Sequence, residues 1–127
     1  MSYCLAANKI HVGSDDGVLI IGFADDAAAP SSYVTMQLAE TFDAQDVELG
    51  MDKIHIELED QIRSHYGGIV AFTLSETRLT IELDGEAQHK LGVAGAIEIS
   101  LAASGFSIDE LKTALAEMAK GQGIELR

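Results

Sequence analysis

The chain has 127 residues, of which 47% are apolar and 23% charged, and its 21 Asp and Glu against 8 Lys and Arg give a formal net charge of −13. This balance is typical of one folded domain, which we expect to span residues 1–127. The acidity argues against nucleic acid as a direct partner, because such binding depends on neutralising phosphates.

The sequence also carries no sign of a membrane or disulfide-bonded protein. Its longest apolar run, residues 17–24, is under half of the ~20 residues that a membrane span needs. The first residues lack the basic and apolar regions of a signal peptide. The single Cys4 allows no internal disulfide and no cysteine metal cluster. We expect a cytoplasmic protein, although a chain exported by another route would look the same.

Most of the chain alternates apolar and polar residues with a period of two, which predicts strands. Residues 5–12 and the apolar run 18–23 should form a hairpin across a turn at residues 13–17. The run 18–23 is apolar throughout, which is consistent with a strand buried on both faces. Further strands are predicted at residues 32–39, 54–59, 70–74, 79–83 and 97–101.

Two helices interrupt this pattern. Ser107 and Glu110 have the spacing of a capping box, and apolar residues follow at helical spacing until Gly121. A shorter helix is predicted for residues 85–91, with Asp84 as N-cap and Gly92 as its stop. The sequence therefore predicts an α+β fold: a largely antiparallel sheet of about six to seven strands, one C-terminal amphipathic helix over a face, and one short helix.

One strand carries a candidate metal or proton-transfer site. His55, Glu57 and Glu59 are spaced by two, which would place all three side chains on one face. The alternative is a solvated sheet face. We favour the solvated face, because metal sites usually draw ligands from several elements, and His65 and His89 show no ligand spacing.

Other catalytic signatures are weaker. No Gly-x-Ser-x-Gly elbow is present, and Cys4 has no activating group near it in the sequence, so a buried or bystander thiol is the better interpretation. Gly67 and Gly68 lack the Lys-Ser/Thr tail of a Walker motif and precede a strand, so we interpret them as a turn or bulge. No enzyme signature remains.

The charge imbalance is concentrated in one segment. Residues 25–60 hold ten acids and a single base, Lys53, so 1 − 10 gives −9 over 36 residues. The segment could be a solvated acidic surface that aids solubility, or a docking face for a basic partner. Composition does not separate these two interpretations.

Two stretches within and after this segment resemble a known family. They are Phe42-Asp43-Ala44-Gln45-Asp46-Val47-Glu48-Leu49-Gly50-Met51-Asp52 and Asp60-Gln61-Ile62-Arg63-Ser64-His65-Tyr66-Gly67-Gly68-Ile69. Both resemble the immunity protein 10 family of bacterial polymorphic toxin systems, and the similarity spans about residues 15–105. Leu38, Ile62 and His65 depart from the family pattern, which puts the identity of the partner in doubt more than the family.

The resemblance implies a cytoplasmic protein that binds and neutralises a cognate toxin domain, without catalysis or a cofactor. We predict an acidic partner-binding face with Tyr66 and Arg63 as aromatic and bidentate anchors. The predicted partner-binding residues are Asp43, Asp46, Glu48, Asp52, Glu57, Glu59, Asp60, Arg63 and Tyr66.

Several purely structural roles compete with this prediction. Asp60 and Arg63 could pair with each other or cap a turn, Gly50 could serve turn geometry, and residues 42–52 could be a loop stabilised by its own Asx turns. Two other functions remain open: a non-catalytic regulatory or scaffold domain for another basic protein, and a small metal- or carboxylate-dependent enzyme. An exposed edge strand could also pair two copies as a homodimer.

Overall fold

The structure, a computed structural model, describes residues 3–25, 32–41, 43–49 and 52–127, and for Asp46, Asp60 and Gln61 it describes only the backbone. The strands in these residues are β1 (Tyr3–Ala6), β2 (Lys9–Asp15), β3 (Val18–Ala24), β4 (Tyr33–Ala39), β5 (His55–Leu58), β6 (Asp60–Tyr66), β7 (Ile69–Leu74), β8 (Arg78–Leu83), β9 (Ile97–Ser100) and β10 (Glu125–Leu126). The helices are α1 (Ala44–Glu48), α2 (Gly85–Leu91) and α3 (Ile108–Ala119), with a 3-10 turn at Ala102–Ser104. The predicted α+β class is confirmed.

The strands form two five-stranded sheets. The meander sheet has the order β2-β3-β4-β5-β6, and every neighbouring pair in it is antiparallel. The mixed sheet has the order β1-β9-β8-β7-β10, in which β1 and β10 pair in parallel with their neighbours. The prediction of about six to seven strands was therefore too low, although the pairing is largely antiparallel as expected.

The N-terminal segment switches from one sheet to the other between two consecutive residues. The Ala7 amide donates to Ser100 O of the mixed sheet at 3.0 Å, and the Asn8 amide donates to Ala24 O of the meander sheet at 2.9 Å. The prediction of one continuous strand over residues 5–12 was wrong for this reason. The alternation changes phase at the switch: Leu5 and Ala7 are buried, Asn8 and Lys9 are both exposed, and Ile10 is buried again.

The hairpin that follows is tighter than predicted. Asp15 pairs with Val18, which leaves only Asp16 and Gly17 in the turn, with φ of 50° and 77°. Positive φ at both central positions is the geometry that two-residue hairpins prefer. The strand thus extends through the residues that we had assigned to the turn.

Strand β3 is buried on one face only. Ile21 and Phe23 are buried and Leu19 packs against the core beside them, whereas Val18 and Ile20, on the other face, are partly exposed. The expectation of burial on both faces was wrong, because the core of the protein lies on one side of the meander sheet.

The core joins both sheets and two helices. The inward side chains of the two sheets, the apolar side of α3, and Ala87 and Leu91 of α2 form a single buried cluster. Its largest fully buried members include Phe23 and Phe72, one from each sheet. Removing this apolar surface from water is the main favourable contribution to folding.

The two predicted helices are confirmed with their N-cap residues, although α3 ends at Ala119 with Lys120 as its C-cap, two residues before the predicted stop at Gly121. The side chain of Asp84 accepts from the Ala87 amide at the start of α2, and Gly92 ends this helix in the left-handed conformation. The hydroxyl oxygen of Ser107 accepts from the Glu110 amide at 3.2 Å at the start of α3. Helix α1 was not predicted. It forms one turn inside the block that we interpreted as a loop, residues 42–52, of which Phe42, Gly50 and Met51 lie outside the described residues.

Candidate functional site

The connection between β4 and β5 carries four of the predicted site residues. Asp43 precedes α1, Glu48 is its last residue, and both are exposed. Asp52 is less open, with 24% of its side chain exposed and an Oδ2–Nζ distance of 4.0 Å to Lys53. The backbone of Asp46 lies within α1, while its side chain is outside the described part of the structure.

The pairing of β2, β3 and β4 brings further carboxylates to the same end of the meander sheet. The Glu40 amide donates to Gly17 O at 2.7 Å, and the Ser14 hydroxyl donates to the Glu40 carboxylate at 2.6 Å. Asp15 ends β2, Asp16 begins the adjoining turn, and both are exposed. We call this region the acidic end, and it comprises Asp15, Asp16, Glu40, Asp43, Glu48 and Asp52.

Sequence analysis did not place Asp15, Asp16 and Glu40 in the site. Asp15 and Asp16 precede the acidic segment by nine residues or more, and only strand register brings them to Glu40. The composition of residues 13–17 predicted a hairpin, but it could not show that Glu40 would lie beside that hairpin.

The side of the meander sheet opposite the core presents a second group of predicted residues. His55 and Tyr66 pair directly across β5 and β6, with ring centroids 4.8 Å apart and planes tilted by 56°. Glu57 lies two residues along β5 and accepts a hydrogen bond from the Tyr33 hydroxyl. His55 and Glu57 thus share a face, as their spacing predicts.

Glu59 does not join that face. It has a positive φ of 63° just beyond β5, and the register shifts between Glu57 and Leu58. Its carboxylate accepts hydrogen bonds from the Tyr3 hydroxyl on β1 and from Arg63 Nη1, the latter at 3.2 Å. The expectation that His55, Glu57 and Glu59 line one face of a strand was wrong, because the strand ends at Leu58.

Arg63 is committed to contacts within the chain. Its Nε donates to Leu91 O at the end of α2 at 2.8 Å, and its guanidinium carbon lies 6.0 Å from the centroid of the Tyr3 ring. The cation thereby satisfies a carbonyl at a helix C-terminus, where positive charge is favourable. Tyr3, Glu59 and Arg63 form what we call the junction cluster, which ties β1, the β5–β6 connection and α2 together.

The environment of the junction cluster favours the neutral phenol. Partial burial, together with the hydrogen bond to the Glu59 carboxylate, raises the pKa of Tyr3 to about 12. The hydrogen bond from Tyr3 to Glu59 joins β1 of the mixed sheet to the β5–β6 connection of the meander sheet.

Two further predicted features concern β6 and the turn after it. Asp60 begins β6 opposite Leu58, and its side chain is not among those described, so the proposed pairing of Asp60 with Arg63 stays a prediction. Gly67 and Gly68 connect β6 to β7 with φ of 82° and 83°. They form a two-residue connection between the two sheets, and the register of β7 shifts just after them, between Ile69 and Ala71, which agrees with the predicted turn or bulge. A Cβ at Gly68 would lie 2.4 Å from the Cβ of Ala87.

The described residues do not assemble a metal centre. No group of three or more His, Cys, Asp or Glu side chains among them could hold a metal ion. Cys4 is exposed on β1, which favours the bystander interpretation over the buried one. Across the part of the chain that the structure describes, no helix combines the length and hydropathy needed to cross a bilayer.

These features define an acidic α+β domain with two five-stranded sheets sharing one core. A family model described as Immunity protein 10 matches residues 6–109, which is most of the chain. The chain belongs to the immunity protein 10 family. A search of curated proteins found no match.

Proposed function

We propose that this protein protects its producer by binding a cognate basic toxin domain stoichiometrically, through a surface that includes the acidic end. Membership of the immunity protein 10 family is the observation that carries the proposal. The family gives the general role of immunity against a toxin. The basic character of the partner and the surface used are our inferences from charge.

The distribution of charge supports a basic partner. The acidic end places six carboxylates around one end of the meander sheet. The connection between β4 and β5, which supplies four of them, contains a single Lys or Arg, Lys53. Complementary charge speeds encounter and disfavours wrong partners. We infer that the protein acts by occupying the toxin and not by transforming a substrate.

The predicted site residues contribute to this surface unequally. Asp43, Glu48 and Asp52 belong to the acidic end, and Glu57 and Tyr66 lie on the neighbouring sheet face. Asp46 and Asp60 remain proposals from their positions in the chain. We propose that Glu59 and Arg63 support the surface indirectly, because both take part in the junction cluster.

Co-expression tests this function directly. The wild-type chain would be produced with the tagged product of the gene immediately upstream of its own, as the candidate toxin, and the complex purified through that tag. We expect the two chains to co-purify in equal amounts and growth of the host to be rescued. Absence of both complex and rescue would reject the proposed function.

A further inference from the structure

We propose that the side of the meander sheet facing away from the core, centred on Gly22 and Thr35, is the surface on which the basic toxin domain docks; this rests on the proposed function. We call this side the outer face. Its members on β3 to β6 include Ile20, Gly22, Thr35, Gln37, His55 and Tyr66, and the edge strand β2 adds Lys9 and His11.

The register places these residues in two adjacent rows. Ile20, Gln37, His55 and Tyr66 follow one another across β3, β4, β5 and β6. Gly22, Thr35 and Glu57 form the next row across β3, β4 and β5. The rows therefore make a continuous surface over the four strands.

The described helices leave the outer face open. The buried sides of α2 and α3 belong to the core cluster, on the opposite side of the sheet, and the described side chains of α1 are exposed. Tyr66 is 41% exposed, and Gln37 is exposed too. A Cβ built on Gly22 would meet only the Thr35 hydroxyl oxygen, at 3.9 Å, so the centre of the face is free to receive another molecule.

The chemistry of this face suits a protein partner. An aromatic ring pair, an amide and a partly exposed isoleucine lie beside a centre formed by Gly22 and Thr35, which pair with His11 and Glu57 on either side. Tyrosine is enriched at the energetically dominant positions of interfaces, and uncharged centres with charged rims are typical of them. The acidic end borders the face where Ile20 and Gln37 lie, which supplies a rim complementary to a basic partner.

The corresponding face of the mixed sheet differs in its charges. There Arg78 pairs with Glu98 at 3.1 Å, and Arg127 pairs with Glu82 and Glu125. Two cations on that face stand against three carboxylates. The outer face of the meander sheet differs in its surroundings, because the acidic end adjoins its strands β2, β3 and β4.

A matched pair of substitutions tests the inference. Thr35 and Thr80 are partly exposed threonines on inner strands of the two sheets, and each lies opposite a glutamate, Glu57 and Glu98 respectively. Thr35→Arg would place a cation against the basic partner, and we expect it to weaken binding of the toxin domain at least about 100-fold. Thr80→Arg should change the dissociation constant less than about threefold.

A second pair replaces charge by bulk and covers the case in which Thr35→Arg lowers stability. Gly22→Tyr fills the centre of the outer face, whereas Gly85→Tyr adds the same ring at a position with nothing within 4 Å of the new Cβ. Thermal unfolding confirms that each variant is folded. We expect Gly22→Tyr to abolish measurable binding and Gly85→Tyr to bind as the wild type does.

The outcomes separate the two proposals. Failure of the wild-type chain to bind the toxin domain rejects the proposed function, and the docking surface with it. If the wild type binds and Thr35→Arg and Gly22→Tyr bind equally well, the function stands and the outer face is wrong. Hydroxyl-radical footprinting of the wild-type complex gives a readout without substitution: Tyr66 should be protected, and unchanged labelling would overturn the docking surface.

Discussion

Oε1 of Glu59 lies 3.2 Å from Nη1 of Arg63. The two residues are four apart in the chain, a spacing that brings side chains together on a helix, but here Arg63 belongs to strand β6. The bulge that follows Glu57 makes this possible, because Leu58 pairs with Asp60 while Glu57 pairs with Ser64. Three residues of β6, including Arg63, are thereby displaced from the regular ladder. Glu59 and Arg63, which we predicted from the sequence to bind the partner, thus help to connect the two sheets.

We first predict that Arg63 matters for stability more than a typical surface arginine. Arg63→Ala removes the hydrogen bond to Leu91 O and the ion pair with Glu59, so the free energy of unfolding should fall by about 1–3 kcal/mol. Arg78→Ala is the control, because the Arg78 side chain is 61% exposed and pairs only at the surface. Its loss should cost less than about 1 kcal/mol. Urea denaturation of both variants measures the difference, and equal losses would argue against the junction cluster.

The second prediction concerns the alkaline pH dependence of stability. Because the pKa of Tyr3 is raised to about 12 in the folded chain, the protonated hydroxyl contributes stability fully below its unfolded pKa of about 10, and this contribution is lost as pH rises through about 12. Tyr3→Phe should therefore be less stable than the wild type at pH 9, by about 1 kcal/mol.

The stability difference between these two chains should shrink between pH 10 and 12. Urea denaturation at pH 9 and pH 11 provides the measurement. Glu59→Gln should reduce this change in the stability difference with pH without abolishing it, because burial of Tyr3 is the larger cause of its raised pKa. A constant difference between wild type and Tyr3→Phe over this range would contradict the assignment.

The third prediction compares two glycines with positive φ. Gly17→Ala meets no atom within 4 Å, so only the left-handed conformation is penalised, at roughly 1 kcal/mol. Gly68→Ala has the same penalty and in addition overlaps Ala87, so we expect a loss above about 3 kcal/mol. Thermal or urea unfolding distinguishes them. Similar losses would show that α2 moves away from β6 at little cost.

The fourth prediction concerns association with the toxin domain. Glu48→Lys reverses a charge in the acidic end and should slow association by about tenfold at low salt, with the difference narrowing as salt rises. Glu76→Lys, in the β7–β8 turn of the mixed sheet, is the matched control. Glu117, an exposed glutamate on α3, would be a poorer control residue, because it lines the same surface depression as Glu40 of the acidic end. Stopped-flow binding measures both rates, and equal slowing would reject the acidic end.

The sequence predicted the local elements well where side-chain pattern and backbone chemistry agreed. Both α2 and α3 begin at the capping residues Asp84 and Ser107. Strand β6 was missed, since it is an edge strand whose side chains are mostly polar and show no alternation. Strand β10 was missed because two residues are too few to show a period.

The candidate site was only partly predictable. The sequence located most of the negative charge in residues 25–60 and placed His55 and Glu57 on one face, since charge and period two are properties of the chain itself. It could not place Asp15 and Asp16 beside Glu40, nor separate Glu59 and Arg63 from the exposed acids. Those relations depend on register and on one bulge, which arise from backbone pairing between distant segments.

The sequence by itself therefore determined the fold class, the capped helices, the net charge and the resemblance to a family. Tertiary structure alone decided that residues 5–12 serve two sheets, that Tyr3 approaches Glu59, and that an open face lies beside the acidic end. The physical reason is that composition and periodicity are local. Which strand pairs with which, and which sheet face stays uncovered, is set by long-range hydrogen bonds and by burial of the shared core.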